Sequence, residues 1–509
     1  MSHIVNDFDT AALLEALPSR IDAIVRTHAA STPNAPALIE DGRTLSYRQL
    51  LDEIEACAAW LRALGVQAGG RVMLVSENCA AQVAALFAVS SLDAWFVNVN
   101  ARLTAPELDA IRTHCGARVV LYTVTASPEA AAHALRARAK AHVHGELMAS
   151  LHADGVVPEA VVPEPMSKEP TAALVYTTGT TGRPKGVMLS HRNLLFVASV
   201  SSRLRGVTPG DLAYGVLPVS HVYGLTSVLL GTLAAGACLR LAPRFTPQAM
   251  LAAIREEGLS IVQGVPAMYA RLLELCAAEG MQGPLASTLR FAYAGGSPLD
   301  PTLKREVEHL LGVPLHNGYG LTEAAPTVSQ TRLDAPRADT SVGHAIPGVE
   351  VRIEGAGREP GKLWVRGPNV MLGYYRDPEG TAAVLRPDGW LDTGDLARRD
   401  ADGALFIAGR SKELIIRSGF KVYPVEVETV LNAHPAVTQS AVVGRLLPDG
   451  NEEVLAFVQP AAGSLLTSTE LEDWACARLA PYKLPARIVF MDSLPAAASG
   501  KVLKHRLRI

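Results

Sequence analysis

Between Asp9 and Tyr122 the hydrophobic pattern changes period again and again, and that alternation constrains the fold more than any single motif. Helical spacing over Asp9 to His28 and Ser46 to Leu64 gives way to the apolar, strand-like Arg71 to Ser76, and another helix begins at Ala80. The cycle resumes from Pro106, with a helix to His114 and a strand at Val119 to Tyr122. Short apolar strands separated by amphipathic helices predict a parallel α/β sheet with helices packed on its faces. From Thr125 to Pro165 the chain is rich in Ala, His, Val and Pro, which predicts a surface helix and linker. Val222 to Leu239 is uncharged and nearly long enough to span a bilayer, but its glycines and threonines favour a buried helix.

With 509 residues the chain is too long for one core, and its character changes twice more along its length. Between Thr340 and Gly409, glycines and prolines punctuate short apolar runs such as Gly361 to Gly367 and Gly403 to Gly409, which predicts antiparallel β structure. After Arg410 come a helix at Val425 to Ala433, strands at Ala441 to Val443 and Val454 to Val458, and a helix at Ser468 to Leu479. That is a compact α+β module of roughly a hundred residues. No internal repeat is visible.

A formal net charge of -3 leaves no electrostatic footprint for nucleic acid or an anionic membrane, so an anionic ligand must be held by local groups. The six cysteines (Cys57, Cys79, Cys115, Cys238, Cys276, Cys476) lack both C-x-x-C and Cys/His spacing, which argues against a disulfide framework and a zinc site. No signal peptide is recognisable in Met1 to Leu17, and a reducing cytoplasm is the expected location.

The run Tyr176-Thr-Thr-Gly-Thr-Thr-Gly-Arg-Pro-Lys-Gly186 follows a buried strand expected over Ala172 to Tyr176. Its glycines let the backbone approach an anion without Cβ interference, and the hydroxyls of Thr177, Thr178, Thr180 and Thr181 can wrap phosphate oxygens. It is not the usual NTPase P-loop, because Arg183 and Pro184 separate Gly182 from Lys185 and Gly186 follows the lysine. An ordinary solvated turn is the bland alternative.

Asn317-Gly-Tyr-Gly-Leu-Thr-Glu323 brings together an aromatic ring, a hydroxyl and a carboxylate. Tyr319 can stack on a base, Thr322 can bond a phosphate and Glu323 can hold Mg²⁺ through oxygen, or the segment is a strand-end turn with a packed tyrosine. Phe291-Ala-Tyr-Ala-Gly-Gly-Ser-Pro298 is a small-residue strand end against which a flat ligand can lie. Asp395 and Arg410 suit a ribose, the carboxylate accepting two hydroxyls, although Thr393-Gly394-Asp395 is also good turn chemistry.

Together these segments resemble the adenylate-forming superfamily, which includes acyl-CoA synthetases, peptide-synthetase adenylation domains and firefly luciferase. The likeness covers most of the chain, and His221-Val-Tyr223 is particularly similar to 4-coumarate:CoA ligases. It implies a large N-terminal AMP-binding domain over residues 1–409, built of parallel α/β subdomains and a β-rich subdomain. A hinge at 410–412 centred on Lys412 and a small mobile α+β domain over 413–509 would follow.

The resemblance also implies roles. Thr177, Thr178, Gly179, Thr180, Thr181, Gly182 and Lys185 grip the phosphates of ATP. Gly295, Gly296, Ser297, Asn317, Gly318, Tyr319 and Gly320 surround the adenine, and Asp395 with Arg410 holds the ribose. Glu323 carries Mg²⁺ beside Thr322, Gly419 lines the coenzyme A tunnel, and Lys501 in the terminal Ser499-Gly500-Lys501 reaches the α-phosphate. Lys501, Glu323, Thr322 and His221 are the catalytic candidates. His221, Tyr223, Ser227, Gly264, Gly295, Gly318, Pro326 and Thr327 would form a largely apolar acyl slot, although His221 also reads as a core histidine and Lys412 as a solvated lysine.

The implied activity is ATP-dependent ligation of a carboxylic acid, probe of choice an aryl or medium-chain one, to coenzyme A. An acyl-adenylate and pyrophosphate form first, then the thioester and AMP. No arginine stands among the matched pocket positions, which argues against a dicarboxylate. Thr178 replaces a common serine, Ser220 an aromatic, and Ala496 to Ala498 a basic stretch. A stand-alone adenylation protein loading a carrier-protein phosphopantetheine is the nearest rival, and a non-catalytic nucleotide-binding regulator a more distant one. Monomer and homodimer are both compatible with this reading.

Overall fold

The computed structural model describes residues 9–139, 142–152, 170–178, 184–355, 359–418, 420–447, 451–461, 463–497 and 502–507. Eight strands form one sheet, in the order Gly373–Tyr374, Pro184–Ser190, Thr171–Thr178, Trp95–Asn100, Arg71–Ser76, Val119–Thr123, Leu147–Leu151 and His142–His144. Arg71–Ser76 is buried along its whole length and runs parallel to both neighbours, as its unbroken apolar run requires.

A second sheet of nine strands runs from His344–Ala345 through Thr327–Gln330, Leu315–Gly320, Phe291–Ala294, Ile261–Gly264, Leu212–Gly215, Cys238–Leu241 and Pro36–Glu40 to Arg43–Ser46. Its centre is parallel and its two edges antiparallel. The helix His191–Leu204 packs into the large core with Phe196 and Leu194 at 0% exposure. Ser190 caps it by accepting from the Asn193 amide at 3.0 Å.

Four antiparallel strands follow, ordered Glu350–Glu354, Gly361–Arg366, Leu391–Arg399 and Leu405–Arg410. The last part has a hairpin of Ile415–Arg417 and Phe420–Val422 and a sheet of Val437–Leu446, Glu452–Pro460 and Arg487–Phe490. It closes a core of its own with Val427, Leu431, Val442, Val454 and Leu471. A large α/β part and a small α+β part are therefore both present.

Three expectations need correction. The helix expected over Asp9 to His28 is two helices, Thr10–Ala16 and Ala23–Ser31. Pro18 lacks an amide donor and forces Leu17 into extended backbone, at φ -64° and ψ 135°. The stretch from Thr125 holds the expected helix, Pro128–Arg136, but then a hairpin of His142–His144 and Leu147–Leu151 that extends the first sheet beside Val119–Thr123. The rest of the expected linker, 153–165, lies outside the described residues.

The buried helix expected over Val222 to Leu239 stops at Ala234, after a π-helical Tyr223–Leu230. Gly236 turns the chain at φ +74° and Cys238–Leu241 continues as a strand. All six cysteines are free, and only Cys476 is exposed. Among the described residues no helix is long and apolar enough to cross a membrane.

Candidate active site

The threonine-rich run connects two antiparallel strands, Thr171–Thr178 and Pro184–Ser190, in which Thr177 pairs with Lys185 and Thr178 with Pro184. Two antiparallel strands, not a strand and a helix as in a P-loop, thus flank it. Gly179, Thr180, Thr181 and Gly182 lie outside the described residues, as do Gly419 and Lys501. Gly186 serves packing: a Cβ there would stand 3.2 Å from the Tyr176 ring. The Tyr176 hydroxyl in turn meets His114 Nδ1 at 2.7 Å.

Lys185 extends from the second strand and places its ammonium 4.5 Å from the centre of the Tyr374 ring and 3.8 Å from Asp377 Oδ2. The Tyr374 hydroxyl donates to Glu323 Oε1 at 2.9 Å. Burial, reinforced by the Glu323 charge, holds that phenol above its ordinary range, so it stays a donor. Glu323 sits on the short 3₁₀ turn Thr322–Ala324 and its carbonyl accepts from the Met371 amide at 2.9 Å. The cation from the hairpin and the carboxylate from the Tyr319 segment are thereby joined through one aromatic side chain.

Tyr319 leaves the end of the strand Leu315–Gly320 and donates its hydroxyl to Asp395 Oδ2. Burial, then the Asp395 charge, raises this phenol well above its usual range. Arg410 pairs with the other oxygen, Nε to Oδ1 at 3.2 Å, because Asp395 and Arg410 are direct cross-strand partners. Asp395 is 5% exposed, and it is aimed by a turn in which Gly394 adopts φ +71° and donates to Asp392 Oδ1 at 2.9 Å. The turn chemistry and the paired carboxylate are thus one arrangement. Ser411 donates to the Gly394 carbonyl at 3.0 Å, while Lys412 on the 3₁₀ turn Ser411–Glu413 is exposed.

Asn317 bonds to backbone on both sides. Its amide nitrogen donates to the Thr340 and Ser341 carbonyls at 3.1 and 3.2 Å, and its oxygen accepts from the Gly318 amide at 2.9 Å. It braces the strand that carries Gly318 and Tyr319. Gly296, at φ +82°, and Ser297 lie at the end of the neighbouring strand Phe291–Ala294. Gly320 is required by the close approach of Pro326, whose carbonyl would lie 2.3 Å from a Cβ.

Gly295 and Gly318 make room for two tyrosines. A Cβ on Gly295 would lie 3.2 Å from both the Tyr223 and the Tyr293 ring, and one on Gly318 would lie 1.7 Å from the Tyr293 hydroxyl. Gly264 similarly abuts Tyr269 at 3.2 Å. His221 precedes the π-helical segment, and its Nδ1 accepts from the Tyr223 amide at 3.2 Å, so the neutral ring carries its proton on Nε2. Ser227 and Thr327 bring their hydroxyls within 3.3 Å of each other.

A charged group lies over the Tyr293 ring. Arg205, just past the helix His191–Leu204, turns inward at 1% exposure and donates to the Ser227 carbonyl at 3.2 Å and Gln263 Oε1 at 2.7 Å. The expectation of no pocket arginine holds only for the matched positions, because Arg205 arrives from a helix end outside them. Tyr374, Asp377, Tyr293 and Arg205 were all missed by the sequence reading. Nothing local distinguishes them from core residues, since each acquires its role from a strand or helix distant in the chain.

Two family models match, one for AMP-binding enzymes over residues 25–375 and one for the C-terminal domain of AMP-binding enzymes over residues 426–501. The chain is 37% identical over 491 residues to a feruloyl-CoA synthase of Amycolatopsis sp, covering 94% of this chain and 96% of that protein. It is 36% identical to an indoleacetate–CoA ligase of Aromatoleum aromaticum, with the same coverage of 94% and 96%. Its fold matches that of the anthranilate CoA ligase AuaEII in complex with anthranoyl-AMP, with a TM-score of 0.84 and 25% identity over 97% of this chain and 98% of the other. The chain belongs to the AMP-binding, adenylate-forming enzymes and is an AMP-forming acid–thiol ligase.

Proposed function

We propose that the enzyme activates an aryl or medium-chain carboxylic acid with Mg-ATP and transfers the acyl group to the thiol of coenzyme A. The observation that carries this reading is the hydrogen-bonded link of Tyr319, Asp395 and Arg410, with Glu323 held by Tyr374 on the turn that follows the Tyr319 strand. Similarity to ligases named for feruloyl, indoleacetate and anthranilate substrates favours the aryl class.

In the first half-reaction a carboxylate oxygen bonds to the α-phosphorus and the bond to pyrophosphate breaks. The threonine-rich loop with Lys185 and Thr322 holds the phosphates, Tyr319 lies on the adenine and Asp395 with Arg410 takes the ribose. His221, donating from Nε2, orients the acid. Lys501 meets the charge that grows at the α-phosphate, so catalysis is positioning and electrostatic stabilisation.

Among the described residues no group of three metal-ligating side chains exists, so protein alone does not cage a cation there. Glu323, with only one oxygen bonded by Tyr374, suits the one-carboxylate attachment that Mg²⁺ makes when phosphates supply further ligands. Bound there, the ion neutralises phosphate charge.

In the second half-reaction the segment 413–509 turns about 410–412, withdrawing Lys501 and presenting Gly419, and the thiol sulfur displaces AMP from the acyl carbon. Six free cysteines fit a reducing cytoplasm. Lys501→Ala abolishes pyrophosphate release yet spares thioester formation from supplied acyl-adenylate, and Gly419→Leu does the reverse. Equal loss of both steps in both variants would refute the two-conformation assignment.

A further inference from the structure

We propose that Arg205 reads the far end of the acid, and that the acids this enzyme prefers carry an acceptor oxygen there. The inference rests on the acyl-slot reading above and sharpens its substrate class.

Arg205 is 1% exposed, yet no carboxylate among the described residues pairs with it. Its Nη1 is committed twice, to the Ser227 carbonyl at 3.2 Å and to Gln263 Oε1 at 2.7 Å, which fixes the plane of the guanidinium. Its Nε donates to nothing. A buried guanidinium with an idle donor and no counter-charge is costly, and proteins keep such groups where a ligand supplies the missing acceptor. Stacking on Tyr293, at 4.5 Å from the ring centre, offsets part of that cost without satisfying the donor.

The position of that ring connects Arg205 to the acid. Tyr293 is the residue whose hydroxyl fills the space left by Gly318 and whose edge meets Gly295. The acyl-slot reading puts the acid beside Gly295 and Gly318, hence beside Tyr293, and Arg205 lies on the face of the same ring. The surroundings are polar as well: the Ser227 and Thr327 hydroxyls lie 3.3 Å apart, and the Tyr223 hydroxyl is buried with no partner. A purely hydrocarbon tail would leave the Arg205 Nε and the Tyr223 hydroxyl without an acceptor among the described residues. An oxygen on the distal end of the acid, whether phenolic or carboxylate, would accept from them, and Arg's planar fork suits either.

The test measures kcat/KM for thioester formation with four acids of one shape: cinnamate and its 4-methyl, 4-hydroxy and 4-carboxy derivatives. The wild type is expected to favour an oxygen-bearing acid over the methyl analogue by about tenfold or more, because a site built to bond an oxygen rejects its hydrocarbon replacement. In Arg205→Met that ratio falls to within about twofold of one. The hydroxy and carboxy arms separate a neutral from an anionic acceptor. Arg205→Lys, which keeps the charge and loses the fork, lowers the ratio by about threefold or more and serves if the methionine variant does not fold. A wild type with no preference for oxygen, or a preference untouched by either variant, overturns the assignment while the ligase reading stands. Failure of every aryl and medium-chain acid to yield a thioester overturns the substrate reading and this assignment with it.

Discussion

Replacing Tyr319 by Phe removes one oxygen and keeps the ring, so it separates the proposed stacking on the adenine from the hydrogen bond to Asp395. That carboxylate is 5% exposed and, among the described residues, meets the Tyr319 hydroxyl on Oδ2 and Arg410 on Oδ1 at 3.2 Å. A hydrogen bond to a charged group contributes about 1.5–3 kcal/mol. The Arg410 side chain is 45% exposed, so the pair that survives is screened and contributes about 1 kcal/mol or less. Of these two contacts the phenol is therefore the stronger. Since 1.4 kcal/mol is a factor of ten, KM for ATP should rise roughly tenfold to a hundredfold in Tyr319→Phe, while KM for the acid stays within about twofold. Pyrophosphate release, with each substrate titrated at saturating levels of the other, reads this split. Combining Tyr319→Phe with Asp395→Asn tests the same link, because two residues acting through one bond are not additive. A coupling of about 1.5 kcal/mol in ATP affinity is expected. Additive losses, or an unchanged KM for ATP alongside a lower melting temperature, would show that the hydroxyl merely stabilises the fold.

Gly318→Ala places a methyl 1.7 Å from the Tyr293 hydroxyl and 2.7 Å from the Ser329 carbonyl, and overpacking of this kind costs about 1–3 kcal/mol. Adding Tyr293→Phe should recover part of the melting temperature, whereas no recovery would mean that the Ser329 backbone is the obstacle. Asp211 is buried, which alone would raise its carboxyl, but Arg290 Nε at 2.8 Å, Ser260 at 2.7 Å and the Thr208 amide at 2.8 Å hold it at about 2. A depressed carboxyl stabilises the fold above its unfolded value of 3.8, and the gain is lost as pH falls from 3.8 towards about 2. Asp211→Asn should accordingly lose roughly 2 kcal/mol at pH 7, with the gap to wild type constant down to about pH 5. Urea titrations that show the gap closing already near pH 6 would contradict this.

How far the sequence reveals the site depends on the distance between partners along the chain and on whether the backbone itself pairs them. Asp395 and Arg410 are readable as a unit because they are cross-strand neighbours in one antiparallel ladder, so their short separation translates directly into contact. Tyr319, Thr322 and Glu323 lie close together for the simpler reason that one strand and one turn carry them. The parallel core around Arg71–Ser76 is readable because full burial demands an unbroken apolar run. By contrast, Leu147–Leu151 lies one strand in from the edge and its buried positions include Ala149 and Ser150, and small residues carry too little hydrophobic contrast to register as alternation. The contacts that tune chemistry were hidden more deeply. Tyr374 reaches Glu323 from a two-residue strand at the edge of the other sheet, and Arg205 reaches Ser227, Gln263 and Tyr293 from the end of a helix. Neither has a periodic signature, because a single polar side chain on a buried face differs from its neighbours only in what the tertiary fold brings to it. Motif positions shared across a family can therefore identify the adenylating machinery while leaving the acid unspecified. In this enzyme the residue best placed to choose the acid, Arg205, lies at none of them.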